Sequence, residues 1–485
     1  MSKAVRELEP LSVWNFFEDL NAVPRPSKKE DQVRKFMVEF GQSRGLPTRV
    51  DDIGNVIITK PASSGMESRH TVVLQGHLDM VHQKNEGTDF NFNTQGIKSY
   101  IDGEWVRADG TTLGADNGMG VAAIMAVLDA DDIAHPPIEA LFTIDEETGM
   151  TGAQNLKAGE LTGKYLLNLD TEDDRELTIG CAGGIDTTAE MSYIQKESSE
   201  GSVGVKLTVS GLVGGHSGMD IHLGRGNANK IMNVLVRDVR LHYGAAIHSI
   251  RGGSLRNAIP RESTAILAVR DFNGFSEHIR ELAMHLKEIY RKTDPNLTID
   301  LSEVEVPKNV MNKTSQRDLI AAISAAPNGV FRMSAEIEGL TETSSNLAKV
   351  NVANGKLTVK SLQRSALEFG KMEVAHAVGD AFALMGAHVT HSGSYPGWAP
   401  KPDSSIVKLM DDLYTNMYGE QADVNACHAG LECGILGANY PEMEMISFGP
   451  TITGAHSPDE SVKIASVQKF WKFFLATLEQ IPEKK

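Results

Sequence analysis

The alternation of apolar and polar residues divides the chain into two textures. Residues 11–20 place Leu, Trp and Phe at helical spacing. Residues 28–40 predict a second amphipathic helix after the Pro24–Pro26 break. Short apolar runs at 48–51, 55–59 and 71–75 predict strands. The run 121–128 (VAAIMAVL) predicts the centre of a buried helix, and 138–144 and 165–169 two more strands. Strands alternating with helices predict an α/β layer with a mostly parallel sheet and helices on both faces. Around 180–186 (GCAGGID) the texture changes. Strands are expected at 205–209, 265–269 and 297–301, with helices at 228–239 and 277–290. A similar order returns in helix 318–325, strand 356–362, helix 373–384 and strand 387–391. This resembles one α+β unit used twice, without a repeat at residue level. Past the Gly- and Pro-rich stretch 393–402 the first texture resumes, with a helix at 404–417 and a strand at 444–448. The expected organisation is one domain formed by 1–185 and 396–485, interrupted by an inserted α+β domain over 186–395.

With 485 residues, 41% of them hydrophobic, the chain has apolar material for more than one core. The formal net charge of −17 argues against a nucleic-acid or anionic-membrane partner. Cys181, Cys427 and Cys433 are too few and too scattered for a disulfide framework, and are expected as reduced thiols. Residues 1–10 lack the apolar core of a signal peptide, and no apolar run reaches 18 residues. The expectation is a cytoplasmic protein with no membrane span.

Five acidic or histidine motifs fall just after predicted strands or where a helix begins. In open parallel sheets, binding sites are built at that edge. His77 and Asp79 follow strand 71–75. Two residues apart in extended chain, they share a face, so Asp79 is placed to orient the His77 ring. Asp116 precedes the apolar helix, where an Asp also serves as an ordinary N-cap. Asp145-Glu146-Glu147 follows an apolar strand, and adjacent carboxylates can divide metal binding and proton transfer between them. Asp170 ends strand 165–169, and His456 lies in Gly-Ala-His-Ser-Pro after strand 444–448. Two histidines with at least three carboxylates form an N/O donor set suited to Zn²⁺, Mn²⁺ or Co²⁺. The odd number of donors suggests one carboxylate bridging two ions, as in two-metal sites with ions ~3.5–4 Å apart.

In order and spacing, GHLD at 76–79, GADNG at 114–118, DEETG at 145–149, Asp170 and His456 resemble the M20 metallopeptidase family along essentially the whole chain. The resemblance implies two divalent ions, with Zn²⁺ the expected metal. It assigns His77 and Asp170 to one ion, Glu147 and His456 to the other, and Asp116 to both. It makes Glu146 the general base and Asp79 the acid that orients His77, and implies a cis peptide between Asp116 and Asn117. The inserted domain resembles the family's lid. Gly214-Gly215-His216-Ser217 matches a lid histidine that serves the partner's active site in dimeric members, which implies a homodimer. Asn257-Ala258-Ile259-Pro260 resembles the lid's N-x-I-P stretch. Arg364 matches an arginine that grips the substrate's free carboxylate; the alternative is a surface arginine in an ion pair. The stretches 428–434 (HAGLECG) and 397–400 (GWAP) resemble bacterial aminoacyl-histidine dipeptidases, which implies hydrolysis of Xaa-His dipeptides such as carnosine. The rival activities within the family are N-acyl-amino-acid deacylation and a broader dipeptidase or tripeptidase action. A metal-binding scaffold without turnover is the rival outside it.

Overall fold

In the computed structural model, which describes residues 3–484, the chain forms two units. One comprises Met1–Gly180, Pro400–Ala426 and Leu431–Lys485; the other comprises Cys181–Ala399 and Cys427–Gly430.

The first unit is organised by an eight-stranded sheet. Its order is Thr48–Val50, Val56–Lys60, Ile138–Thr143, Val72–His77, Tyr165–Asn168, Glu444–Ser447, Glu176–Cys181 and Asp423–Cys427. The four central strands, from Ile138–Thr143 to Glu444–Ser447, pair in parallel. The pairings towards Thr48–Val50, and that of Glu444–Ser447 with Glu176–Cys181, are antiparallel. The expected mostly parallel sheet is therefore parallel at its centre and antiparallel at its flanks. Every residue of Val72–His77 is buried, as expected for a parallel strand covered on both faces. Helix Ala115–Asp129 begins earlier than its apolar run, and all its residues from Asn117 to Leu128 are buried. It lies so close to the end of strand Tyr165–Asn168 that a Cβ on Gly120 would stand 2.3 Å from the Leu169 carbonyl. Only glycine fits there.

A smaller antiparallel sheet of Ile452–Thr453, Ser461–Lys463, Trp105–Ala108 and Ser99–Asp102 carries the 454–460 loop. Nothing in the sequence pattern announced it. The C-terminal helix Ile464–Gln480, which buries Phe470, Phe473 and Phe474, was likewise not foreseen. Among the described residues no helix is long and apolar enough to cross a membrane.

The second unit joins the strands of both its halves into one nine-stranded antiparallel sheet. The order is Thr298–Val304, Val203–Ser210, Ser263–Val269, Ala246–Gly252, Thr341–Ala353, Lys356–Ser365, Gly183–Ser192 and His388–Tyr395. Gly329–Met333 pairs off that path with Thr341–Ala353. Val205, Leu207 and Val209 are buried and alternate with less buried Lys206 and Thr208, the period of a strand with one apolar face. Those residues join Ile231, Leu235 and Val239 of helix Ala228–Tyr243, and Phe275 and Ile279 of helix Phe272–Tyr290, in one core.

Candidate active site

The carboxyl ends of three central strands and the 454–460 loop converge on Asp116. His77 Nε2 lies 3.1 Å from Asp116 Oδ1, and His456 Nε2 lies 3.2 Å from Asp116 Oδ2. Asp170 Oδ1 is 3.5 Å from His77 Nε2 on the first side, and Glu147 Oε2 is 3.0 Å from His456 Nε2 on the second. Two donor groups result, His77–Asp116–Asp170 and Asp116–Glu147–His456, each with its ligand atoms within 4.8 Å of one another. Glu146 lies within the same distance of His77 and Glu147. The peptide bond between Asp116 and Asn117 is cis, as the resemblance implies. Asn117 donates from Nδ2 to the Leu169 carbonyl, tying this turn to the strand end that carries Asp170.

The geometry fixes the His77 ring. Its Nδ1 donates to the main-chain carbonyl of Asp79 at 3.1 Å, with the Asp79 carboxylate slightly farther at 3.4 Å. A carbonyl can only accept, so Nδ1 carries the hydrogen and Nε2 faces Asp116 and Asp170. The Asp79 carboxylate accepts from the backbone N–H groups of Glu146 at 3.0 Å and Glu147 at 3.3 Å. Asp79 therefore joins two loops as well as orienting the ring.

The electrostatics suit a site that receives cations. Burial opposes a charge on His77, but Asp170, Asp116 and Asp79 raise it well above the usual histidine range. Hydrogen bonds to the Asp116 and Glu147 carboxylates push His456 up to about 11, although half its side chain is exposed. Burial raises Asp170, and His77 opposes that rise. Desolvation lifts the Glu146 carboxyl well above the ordinary carboxylate range; His77 pulls it down, while Asp170 and Glu147 push it further up. Asp170 Oδ1 and Glu147 Oε1 are buried and accept no hydrogen bond. Anionic oxygens left in that state are costly unless a cation meets them. Together with the imidazole nitrogens, they fit divalent metal ions.

Three buried side chains that the motifs did not single out brace this cradle. The Glu460 carboxylate accepts from four consecutive backbone N–H groups: Leu113 at 2.7 Å, Gly114 at 2.9 Å, Ala115 at 2.7 Å and Asp116 at 3.2 Å. Arg25 donates to the carbonyls of Leu78, Asp79 and Gly114, binding the His77 loop to the Asp116 loop. Glu432 accepts from Gln75 and Thr143 behind the sheet end, and burial pushes it up to about 7. The available signals were Glu460 four residues after His456, and an arginine held between two prolines.

Glu460→Gln should set an amide NH₂ against two of those backbone donors. The expected result is a loss of about 1–3 kcal/mol of stability, read as a lower denaturant midpoint. Metal retention should weaken in parallel, because the Asp116 turn is what Glu460 holds.

The other three expected residues lie in the second unit. His216 Nδ1 accepts from the backbone N–H groups of Gly218 at 3.3 Å and Met219 at 3.1 Å. That fixes the neutral tautomer with hydrogen on Nε2. Arg364 is 5% exposed, which rules out the surface-arginine alternative. Its guanidinium donates to the Tyr395 hydroxyl at 2.8 Å and lies 3.5 Å from Ser217 Oγ and His216 Nε2, none of them a carboxylate. Asn257 is exposed, and its main-chain carbonyl accepts from Ser217 N–H at 2.8 Å. Nearby His428 meets Ser344 Oγ at 2.7 Å. Burial, then Arg364 and His216, push it down to about 3. His428 stays neutral beside the Arg364 cation.

Comparison with known proteins matches residues 73–480 to the model of peptidase family M20/M25/M40. The cytosol non-specific dipeptidase of Escherichia coli is 40% identical over 480 residues, covering 99% of each chain. The crystal structure of aminoacylhistidine dipeptidase from Vibrio alginolyticus superposes with a TM-score of 0.92 at 45% identity, again over 99% of each chain. Aminopeptidase PepT from Bacillus cereus shares the fold at 16% identity, with a TM-score of 0.56 over 98% of this chain and 99% of its own. The paired donor groups around Asp116 thus sit in a chain whose family match spans most of its length, and the chain belongs to the M20/M25/M40 peptidase family and is a peptide hydrolase.

Proposed function

We propose that this protein is a two-metal dipeptidase that cleaves Xaa-His dipeptides such as carnosine. The observation that carries the reading is the sharing of Asp116. Each of its oxygens faces a different histidine, and a further carboxylate flanks each histidine. His77, Asp170 and Asp116 would hold one ion, and Glu147, His456 and Asp116 the other, with Zn²⁺ preferred and Co²⁺ or Mn²⁺ as alternatives. Ions so held supply Lewis acidity, lowering the pKa of water towards neutrality and polarising the scissile carbonyl.

Glu146 takes the proton of the attacking water and delivers it to the leaving amine nitrogen. Asp79 keeps His77 in the tautomer that presents Nε2. His216, with hydrogen on Nε2, donates to the developing oxyanion. Arg364, buried among neutral partners, grips the substrate's free carboxylate, with Asn257 in a supporting contact. The inserted unit acts as a lid that limits substrate length and excludes water. We further propose a cytoplasmic homodimer, with His216 serving the partner's site. The word "cytosol" in the name of the Escherichia coli relative and the resemblance of the Gly214–Ser217 loop to that of dimeric family members support this.

A second reading is a dipeptidase of broad preference, supported by the word "non-specific" in the name of that relative. A panel of purified, metal-loaded protein with carnosine, Gly-His, Ala-Ala, a tripeptide and N-acetyl-histidine separates these readings. Preference for the Xaa-His members is expected. Equal rates on Ala-Ala would favour the broad reading, and turnover of N-acetyl-histidine alone would establish a deacylase. Chelation should abolish activity and Zn²⁺ should restore it. Activity that persists without metal would end the two-metal reading.

A further inference from the structure

A second constellation of metal-ligating side chains lies in the unit Cys181–Ala399 and includes none of the residues assigned to catalysis. It is formed by Asp238 and His242 on helix Ala228–Tyr243 and by His278 on helix Phe272–Tyr290. Asp238 and His242 are four residues apart, so one helix face presents both. The second helix packs against the first and brings His278 to the same place. One ligand atom from each of the three lies within 4.8 Å of the others.

The donors are already arranged. The Asp238 carboxylate contacts His278 Nε2 directly. The two imidazole rings are 5.4 Å apart between centroids, and Tyr243 lies 5.6 Å from the His278 ring and helps to hold it. His242 Nδ1 donates to the Asp238 main-chain carbonyl at 3.0 Å. A carbonyl only accepts, so His242 carries its hydrogen on Nδ1 and keeps a lone pair on Nε2, the form in which metal-bound histidines are commonly held. His242 is exposed, while Asp238 and His278 are half-buried, so an ion can enter from solvent and complete its shell with water.

We propose that Asp238, His242 and His278 form a surface binding site for a borderline divalent ion of the zinc class. Two imidazoles and one carboxylate suit Zn²⁺, Co²⁺, Ni²⁺ or Cu²⁺ and disfavour Mg²⁺ and Ca²⁺, which prefer all-oxygen shells. The ion takes the place of the direct contact between the Asp238 carboxylate and His278 Nε2. It also cross-links two helices whose apolar faces form the core of this unit.

The test uses the full-length, metal-loaded enzyme dialysed against buffered free Zn²⁺, with zinc per chain measured by elemental analysis. Wild type should retain one zinc more than His242→Ala and one more than His278→Gln, while all three keep the same dipeptidase activity. In wild type alone, zinc should slow amide exchange in residues 228–243 and 272–290. Equal zinc content in wild type and both variants overturns the site. His242→Ala decides alone if His278→Gln loosens the helix pair, because the exposed His242 ring is not part of the core. Loss of the catalytic metals would lower the zinc content of all three proteins together and leave the difference between them intact.

Discussion

Glu146→Gln is expected to keep its metal and lose turnover by ~10²–10⁴-fold, the usual cost of removing a general base. Glu146 lies within 4.8 Å of His77 and Glu147, but it is not one of the two residues flanking the Asp116 histidines. Its backbone N–H is fixed by Asp79, so the replacement should not move the turn. The amide keeps the size of the side chain and removes its ability to accept a proton. Metal content by elemental analysis and kcat on the preferred dipeptide form the paired readout. Near-normal kcat with full metal would remove Glu146 from the base role. Loss of metal along with activity would make it a ligand instead. Glu147→Gln should behave in the second way, because Glu147 Oε1 is buried without a hydrogen-bond partner.

His216→Ala should reduce kcat by ~10²–10³-fold, as the loss of one oxyanion donor does. KM should change far less, because that hydrogen bond strengthens chiefly in the transition state. The structure gives this expectation a definite form. The backbone N–H groups of Gly218 and Met219 occupy Nδ1, so the hydrogen available for donation is on Nε2. His216→Gln can still donate and should recover part of the rate. If His216 serves the partner's site, mixing His216→Ala with Glu146→Ala should restore some activity, since a fraction of mixed dimers then carries one intact site. Subunit exchange is established first by co-purification of differently tagged chains. Exchange without recovered activity would place His216 in its own subunit's chemistry or outside catalysis.

Most of the cluster around Asp116 was readable because its members end apolar runs or open helices, whereas His456 sits in the 454–460 loop and was legible only through its motif. His77 closes the buried strand Val72–His77, and Asp170 follows Tyr165–Asn168. Such positions bring residues distant in sequence to one sheet edge. Arg25 and Glu460 escaped because their partners are mainly backbone groups, and a single charged residue in a loop carries no periodicity. Glu432 lay within the quoted 428–434 stretch, but its partners Gln75 and Thr143 are distant in sequence. Glu460 reads as one more acid in Ser-Pro-Asp-Glu until its four N–H partners at 113–116 are seen. Strand Thr341–Ala353 escaped for a different reason. Its Thr343, Ser344, Ser345 and Asn346 are polar, which in sequence suggests a loop, yet all four are buried. Thr343 pairs with Ser365 at 2.9 Å, Gln363 donates to Ser345 at 3.3 Å, and Asn346 donates to the carbonyls of Arg256 and Ala258. A central strand can be polar where its side chains find one another, and that matching appears only after folding.

Strand Glu444–Ser447 stands between Tyr165–Asn168 and Glu176–Cys181 in the first unit's sheet, although nearly the whole second unit separates it from them in the chain. On the ribosome, then, the order of completion is the reverse of the order of beginning. Residues 181–399 can collapse into their own sheet while the earlier strands wait with a gap at their centre. Until the last stretch emerges, the edge of Tyr165–Asn168 is open to pairing with any passing strand, a hazard for a nascent chain. A message truncated after residue 430 would carry every strand of the nine-stranded sheet but would lack Glu444–Ser447 and His456.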